Sequence, residues 1–208
     1  MTVLDKLSSR LGRRDEVANQ ELAIQIIESK DGKEVKELVD NLSNKDKKIR
    51  SDCIKVLYEI GEKSPELIAS YHEEFGKLLA SDDSRLVWGA VTALDSITLV
   101  DPEGVYLLLP EIMKAADGES VIARDHAVGV LTKLATLGAY SGACLPLLLK
   151  QLKTCPENQF PMYAELSLKA VNDGNKASLI KIFNGRLKSL KKESQRKRVQ
   201  SVLRKLGE

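Results

Sequence analysis

A repeat of 37 residues constrains this chain more than any other feature. Residues 46–60 read DKKIRSDCIKVLYEI; 37 positions later stands DSRLVWGAVTALDSI, and 37 later again SVIARDHAVGVLTKL. The columns agree in chemistry. Ile49, Leu86 and Ala123 are apolar; Cys53, Ala90 and Ala127 are small; Ile54, Val91 and Val128 are β-branched. Leu57, Leu94 and Leu131 are identical, and Ile60, Ile97 and Leu134 close the set. Apolar positions at i, i+4, i+8 and i+11 mark one face of a helix, not the alternation of a strand. A period of this length means stacked helical units, none of which can bury its apolar face alone.

Further copies frame these three. Phe160, Ala164, Leu168 and Val171 continue the columns; Val199, Leu203 and Leu206 do so after a two-residue deletion, and Ala23 and Ile27 at a shorter spacing. Between them lie second stripes, Val35-Leu38-Leu42, Ile68-Phe75-Leu79, Leu108-Ile112-Ala116 and Leu145-Leu149-Leu152. Asn44, Asp46, Ser64, Ser81, Asp83, Asp101 and Ser120 stand where N-caps belong, and Gly61, Gly118, Gly138 and Gly174 where helices should end. The expected map is six antiparallel helix pairs in a single repeat domain over 1–208: 2–30, 33–62, 65–99, 103–137, 140–172 and 175–207. The first helix of the first pair should run over 2–12. Pro156 and Pro161 should shorten or displace the helix start in the fourth copy.

The pattern D-x-x-Φ-R-x-x-A-x-x-x-L resembles the second helix of a HEAT repeat. It is read here as Asp46-Ile49-Arg50-Cys53-Leu57, then Asp83-Leu86-Val87-Ala90-Leu94, then Ser120-Ala123-Arg124-Ala127-Leu131. The aspartate is absent from the third copy and the arginine from the second. The resemblance spans roughly 16–206. It implies an all-α, right-handed α-α superhelix of the HEAT-like (armadillo-type) solenoid kind, with second helices lining a concave side. It implies no single function. Arg50 and Arg124, with Asp46 and Asp83, match positions where HEAT-like proteins form ladders of charged pairs between repeats.

Hydrophobic residues make up 43% of the chain and charged residues 30%, so it can bury a core; aromatics are only 4%, so that core is aliphatic. Cys53, Cys144 and Cys155 form no CxxC. Cys53 falls on a core face, and the other two would lie near opposite ends of one helix, about 16 Å apart at 1.5 Å per residue. Unpaired thiols suit a reducing compartment. No apolar run reaches membrane-spanning length, so the expectation is a soluble cytoplasmic protein.

The sequence offers no catalytic, cofactor or metal motif of the phosphate-loop, dinucleotide, nucleophile-elbow or zinc-protease kind. Its two histidines, His72 and His126, lie in different repeats with no ligand cluster and are expected on ordinary helix surface. HEAT-like DNA glycosylases place paired aromatics and a carboxylate on the concave wall. Here the residue four after Trp88 is Thr92 and no second tryptophan exists, so an enzyme of that kind ranks a distant third. The leading expectation is a protein-binding scaffold. Trp88 shares a row with Ser51, Asp125 and Met162, whose mixed chemistry suggests exposure. It either anchors an interface or fills the groove between adjacent repeats. Lys55, Tyr58, Arg85, Asp95 and Tyr163 are expected to share its surface.

The alternative is nucleic-acid binding through the C-terminus. Residues 181–208 carry ten Lys/Arg against two acids, including Lys188, Lys191, Lys192, Arg196, Lys197 and Arg198; residues 1–180 carry a net −6. A polar terminal cap explains the same charges.

The small column should mark a close helix crossing. Ala90→Leu is therefore expected to overpack it and cost about 1–3 kcal/mol, read as a lowered melting temperature; an unchanged melt would count against the alignment of copies.

Overall fold

The computed structural model describes residues 2–118 and 120–207. All regular structure among them is helical. The twelve α-helices are α1 Val17–Ser29, α2 Gly32–Asp40, α3 Lys47–Lys63, α4 His72–Leu78, α5 Ser84–Ile97, α6 Pro102–Leu107, α7 Leu109–Ala116, α8 Val121–Thr136, α9 Gly138–Thr154, α10 Phe160–Ser167, α11 Lys176–Leu187 and α12 Glu193–Lys205. The chain divides into two compact units, 1–127 and 128–208.

The repeat columns are the core. Every residue in the five columns of the three full copies is at most 4% exposed. Burying one such leucine contributes about 1.5–3 kcal/mol. In the later copies Phe160, Ala164, Val199, Leu203 and Leu206 are also buried, whereas Leu168 and Val171 are only half-buried, because the helix has by then given way to a 3-10 turn. Burial pushes the Cys53 thiol up to about 12 and the Cys144 thiol up to about 11, so both act as small apolar side chains. Cys155 is buried as well.

Helix starts follow the expected capping chemistry. Asp46 accepts from the backbone N–H of Lys48, Asp83 from Arg85 and Asp101 from Gly104. Ser120 accepts from Ala123. Helix ends follow expectation only in part: Gly118 lies just past the end of α7. Gly61 lies inside α3 and Gly138 opens α9 rather than closing a helix, while the left-handed C-cap of α1 is Lys30, at φ 53°.

Several glycines serve close packing instead. A Cβ on Gly89 would lie 2.7 Å from the Ile54 side chain, so the α5 backbone rests directly on that side chain of α3. A Cβ on Gly61 would lie 2.7 Å from Ile68, and one on Gly76 would lie 2.7 Å from Leu108. These last two seats explain where the expected first helices break. The helix expected over 65–80 is two 3-10 turns followed by α4, with Ile68 fully buried where it settles over Gly61. The helix expected over 103–117 is split at Leu108, which sits over Gly76. Pro110 enforces that break, because it lacks an N–H and its ring crowds the carbonyl of Tyr106.

At the N-terminus the expected helix over 2–12 is only a 3-10 turn, Val3–Lys6. Buried side chains capture the backbone that would continue it. Asn19 accepts from Ser8 N–H at 2.9 Å, and Asp52 accepts from Ser9 N–H at 2.8 Å. The Asn19 amide also donates to Asp52, which ties the segment to α1 and α3. In the second unit α10 starts at Phe160, one residue later than expected, with Pro161 tolerated in its first turn; its shortening lies at the other end, where the helix gives way to a 3-10 turn, Leu168–Ala170.

Arginines four residues after the N-cap brace the turns within helix pairs. Arg50 donates to the Asn44 carbonyl at 2.8 Å, Arg124 to the carbonyls of Ala116 and Gly118, and Arg196 to Leu190 at 2.8 Å. Each satisfies carbonyls in, or at the start of, the turn that joins the two helices of a pair. The expected charge ladder is thus mostly a carbonyl brace. Only Arg50 also approaches the next repeat, 3.7 Å from Asp83, beside Lys47 at 3.5 Å. Arg124→Met is expected to cost about 1–3 kcal/mol by leaving these carbonyls unpaired, and Arg124→Lys should not restore it, because one ammonium lacks the fork that spans both acceptors. Urea unfolding of the two variants checks both.

Candidate protein-binding surface

In the first unit α1, α3 and α5 pack side by side as one layer. Across it runs a chain of charged and aromatic side chains. Lys55, Tyr58 and Glu59 stand at i, i+3 and i+4 on α3, one helical face. Arg85 and Trp88 stand at i and i+3 on α5. The Trp88 and Tyr58 rings lie 5.6 Å apart, tilted by 50°. The Arg85 guanidinium lies 5.6 Å from the Trp88 ring centre, and the Lys55 ammonium 4.8 Å from that of Tyr58, both within cation–π range. The ends are closed by carboxylates: Glu16, at the N-cap of α1, pairs with Arg85, and Glu59 pairs with Lys55.

Trp88 is half-buried, with its ring against that of Tyr58 across the α3–α5 contact. Lys55 and Tyr58 are more buried than a freely offered surface would have them, at 8% and 7% exposed. Tyr58 packs against Trp88, and Lys55 packs against Tyr58. Burial alone would lower the Lys55 ammonium, but its bonds to Glu59 and Tyr58 outweigh that and hold it above the usual lysine range. Burial raises the Tyr58 phenol, partly offset by Lys55.

Asp95 is half-buried and lies 2.8 Å from Nδ1 of His126. Both histidines therefore depart from plain helix surface, for His72 Nδ1 stands 2.7 Å from Asp101. Gly104 makes room there, since a Cβ on it would meet the His72 ring at 2.8 Å. Tyr163 corrects another expectation. It is fully buried in the second unit, because Phe160, Tyr163, Ala164 and Ser167 stand at i, i+3, i+4 and i+7 on the inward face of α10. It does not belong to the Trp88 surface. Beside Arg85, a groove of about 720 Å³ opens between the N-terminal turn and the start of α3. Arg13, Arg14, Glu16, Lys47 and Ser51 are among its walls, a lining of mixed charge.

The basic C-terminal residues divide into two sets. Lys188, Lys191 and Lys192 are exposed and have no carboxylate partner among the described residues. The others are engaged. Arg196 braces a turn, Lys197 pairs with Glu193 at 2.9 Å, and Arg198 holds Glu165 through two bonds of 2.8 and 2.6 Å. That hydrogen-bonded pair keeps the Glu165 carboxyl below its ordinary value. Among the described residues no three His, Cys, Asp or Glu side chains are grouped to hold a metal ion, and no helix is long and apolar enough to cross a membrane.

Sequence reasoning missed Glu16 and Glu59. Glu59 carried a signal, the i+4 spacing from Lys55. Glu16 carried none, since it meets Arg85 across 69 positions of chain.

No protein-family model matches the chain, and no curated protein does. Solved structures do. A designed armadillo repeat protein in complex with the peptide (KR)4 is 17% identical over 97% of both chains, with a TM-score of 0.63. Computationally designed armadillo repeat proteins for modular peptide recognition give 17% identity over 97% of both chains and a TM-score of 0.62. An engineered protein gives 19% identity over 99% of both chains and a TM-score of 0.63. At this identity the likeness shows the fold alone, an armadillo/HEAT-like α-solenoid.

Glu59→Gln should leave the Lys55 ammonium without its carboxylate and cost about 1.5–3 kcal/mol near neutral pH. Because the folded-state pKa of Lys55 is raised from 10.5, the pair stabilises below that value and is lost as pH rises through it. The gap in melting temperature between wild type and variant should therefore narrow in alkaline buffer.

Proposed function

We propose that this chain is a non-catalytic scaffold that binds a segment of a partner protein along the second-helix layer of its first unit, the layer that lines the concave side in HEAT-like solenoids. One observation carries the reading: the continuous row Glu16–Arg85–Trp88–Tyr58–Lys55–Glu59. A half-buried tryptophan held rigid by a ring below and a guanidinium beside it loses little freedom on binding, which suits an interface anchor. Arg85 and Asp95 on the same helix offer polar contacts around it, and the mixed-charge groove gives a segment somewhere to continue. Designed proteins of this fold are described as recognising peptides, which supports a peptide-like ligand. Three buried free thiols suit a cytoplasmic setting.

Trp88→Ala should weaken recovery of the bound partner from cell extract by roughly tenfold or more, the scale of an interface hot spot, and unchanged recovery would remove Trp88 as the anchor. Nucleic acid is the competing ligand, through Lys188, Lys191 and Lys192. Phosphate binding must fall steeply between low and moderate salt, so tight, salt-sensitive retention of DNA or RNA that ignores Trp88→Ala would favour that reading instead.

A further inference from the structure

The second unit holds a groove of about 450 Å³ between α9 and α11, lined by none of the residues proposed above. Its lining is selective in kind. Lys153, Lys181 and Arg186 bring three positive charges, and no carboxylate lines it. Lys153 and Lys181 are exposed and make no ion pair among the described residues. Arg186 is half-buried; it donates to the carbonyls of Lys153 and Cys155 and lies 4.7 Å from the Phe160 ring centre. These partners fix the guanidinium without neutralising it, and its buried Nε–H has no acceptor. The unit around it carries fifteen Lys/Arg against five Asp/Glu. A concave site lined by one sign of charge focuses an attractive potential for the other.

The remaining lining is apolar or small. Leu149 is half-buried and Ile182 is 8% exposed, while Ser178 and Gly185 keep the α11 side low. Gly185 is telling. It sits within α11, where glycine is the poorest helix former after proline. A Cβ there would meet nothing within 4 Å. Packing thus gives no reason for the glycine, yet it keeps the groove open.

We propose that the α9–α11 groove docks an acidic, leucine-bearing segment of a partner protein, its carboxylates on Lys153, Lys181 and Arg186 and its apolar side chains on Leu149 and Ile182. A single-stranded nucleic acid fits less well. Such sites stack bases on aromatic side chains, and no aromatic residue lines this groove.

The test is fluorescence anisotropy on the full chain, with a labelled peptide of alternating Glu and Leu as probe. Its Lys/Leu counterpart and an oligothymidine of matched charge are the controls. Wild type should bind the Glu/Leu peptide and not the Lys/Leu one. Lys153→Glu with Lys181→Glu should weaken that binding roughly tenfold or more, since like charges then meet, while Lys191→Glu with Lys192→Glu should leave it unchanged. Gly185→Leu fills the groove at constant charge and should also weaken binding without lowering the melting temperature, which separates occlusion from misfolding. Failure of wild type to bind the Glu/Leu peptide would overturn the proposal. So would equal losses in both lysine pairs, or tighter oligothymidine binding that Gly185→Leu leaves intact. None of these outcomes bears on Trp88, which belongs to the other unit.

Discussion

The approach of α3 to α5 at Gly89 sets the geometry of the first unit. With no side chain at that position, the α5 backbone can rest on Ile54. Trp88 immediately precedes it in the chain, so the same approach brings its ring to 5.6 Å from Tyr58 on α3. Arg85, one turn earlier, is carried over the ring and into reach of Glu16 on α1. A bulkier residue at 89 would hold the helices apart and dissolve this row before any of its members changed. The interior of such a solenoid is close-packed, so small shifts at a crossing are not absorbed locally.

The same economy recurs elsewhere. Gly61 receives Ile68 and Gly76 receives Leu108, each where a first helix breaks. Arginines at one repeat position then fasten the turns, by donating to carbonyls in or at the start of them. Both devices leave charge available. In the first unit the cations of the aromatic row are matched by Glu16 and Glu59. In the second, Arg186 has carbonyls and a ring for company but no carboxylate, and the groove beside it keeps its positive potential.

Much of the scaffold was legible in one dimension. The columns through Leu57, Leu94 and Leu131 predicted the core because a helix face repeats at fixed spacing and each unit meets the same neighbour. The caps at Asp46, Asp83 and Asp101 were legible because a cap bonds within three residues of itself. The breaks at Ile68 and Leu108 were not, since each depends on a glycine in a different helix. The N-terminal helix failed for a similar reason: Asn19 and Asp52, distant in sequence, take the backbone donors that local helix formation would have used.

The candidate site divides along the same line. Trp88 and its neighbours on α3 and α5 could be named from helical spacing, and Lys55 with Glu59 follows from it too. Tyr163 stands at i+3 from Phe160 and so belongs to the buried face of α10 rather than to a surface. The links from Glu16 to Arg85 and from Asp95 to His126 could not be read from spacing. By itself, then, the sequence determined the helical repeat, its core columns and the starts of its helices, because these are short-range and periodic. Tertiary structure alone decided which glycines become seats, which charges are cancelled and which stay open, because those outcomes depend on distance between residues that the chain keeps far apart.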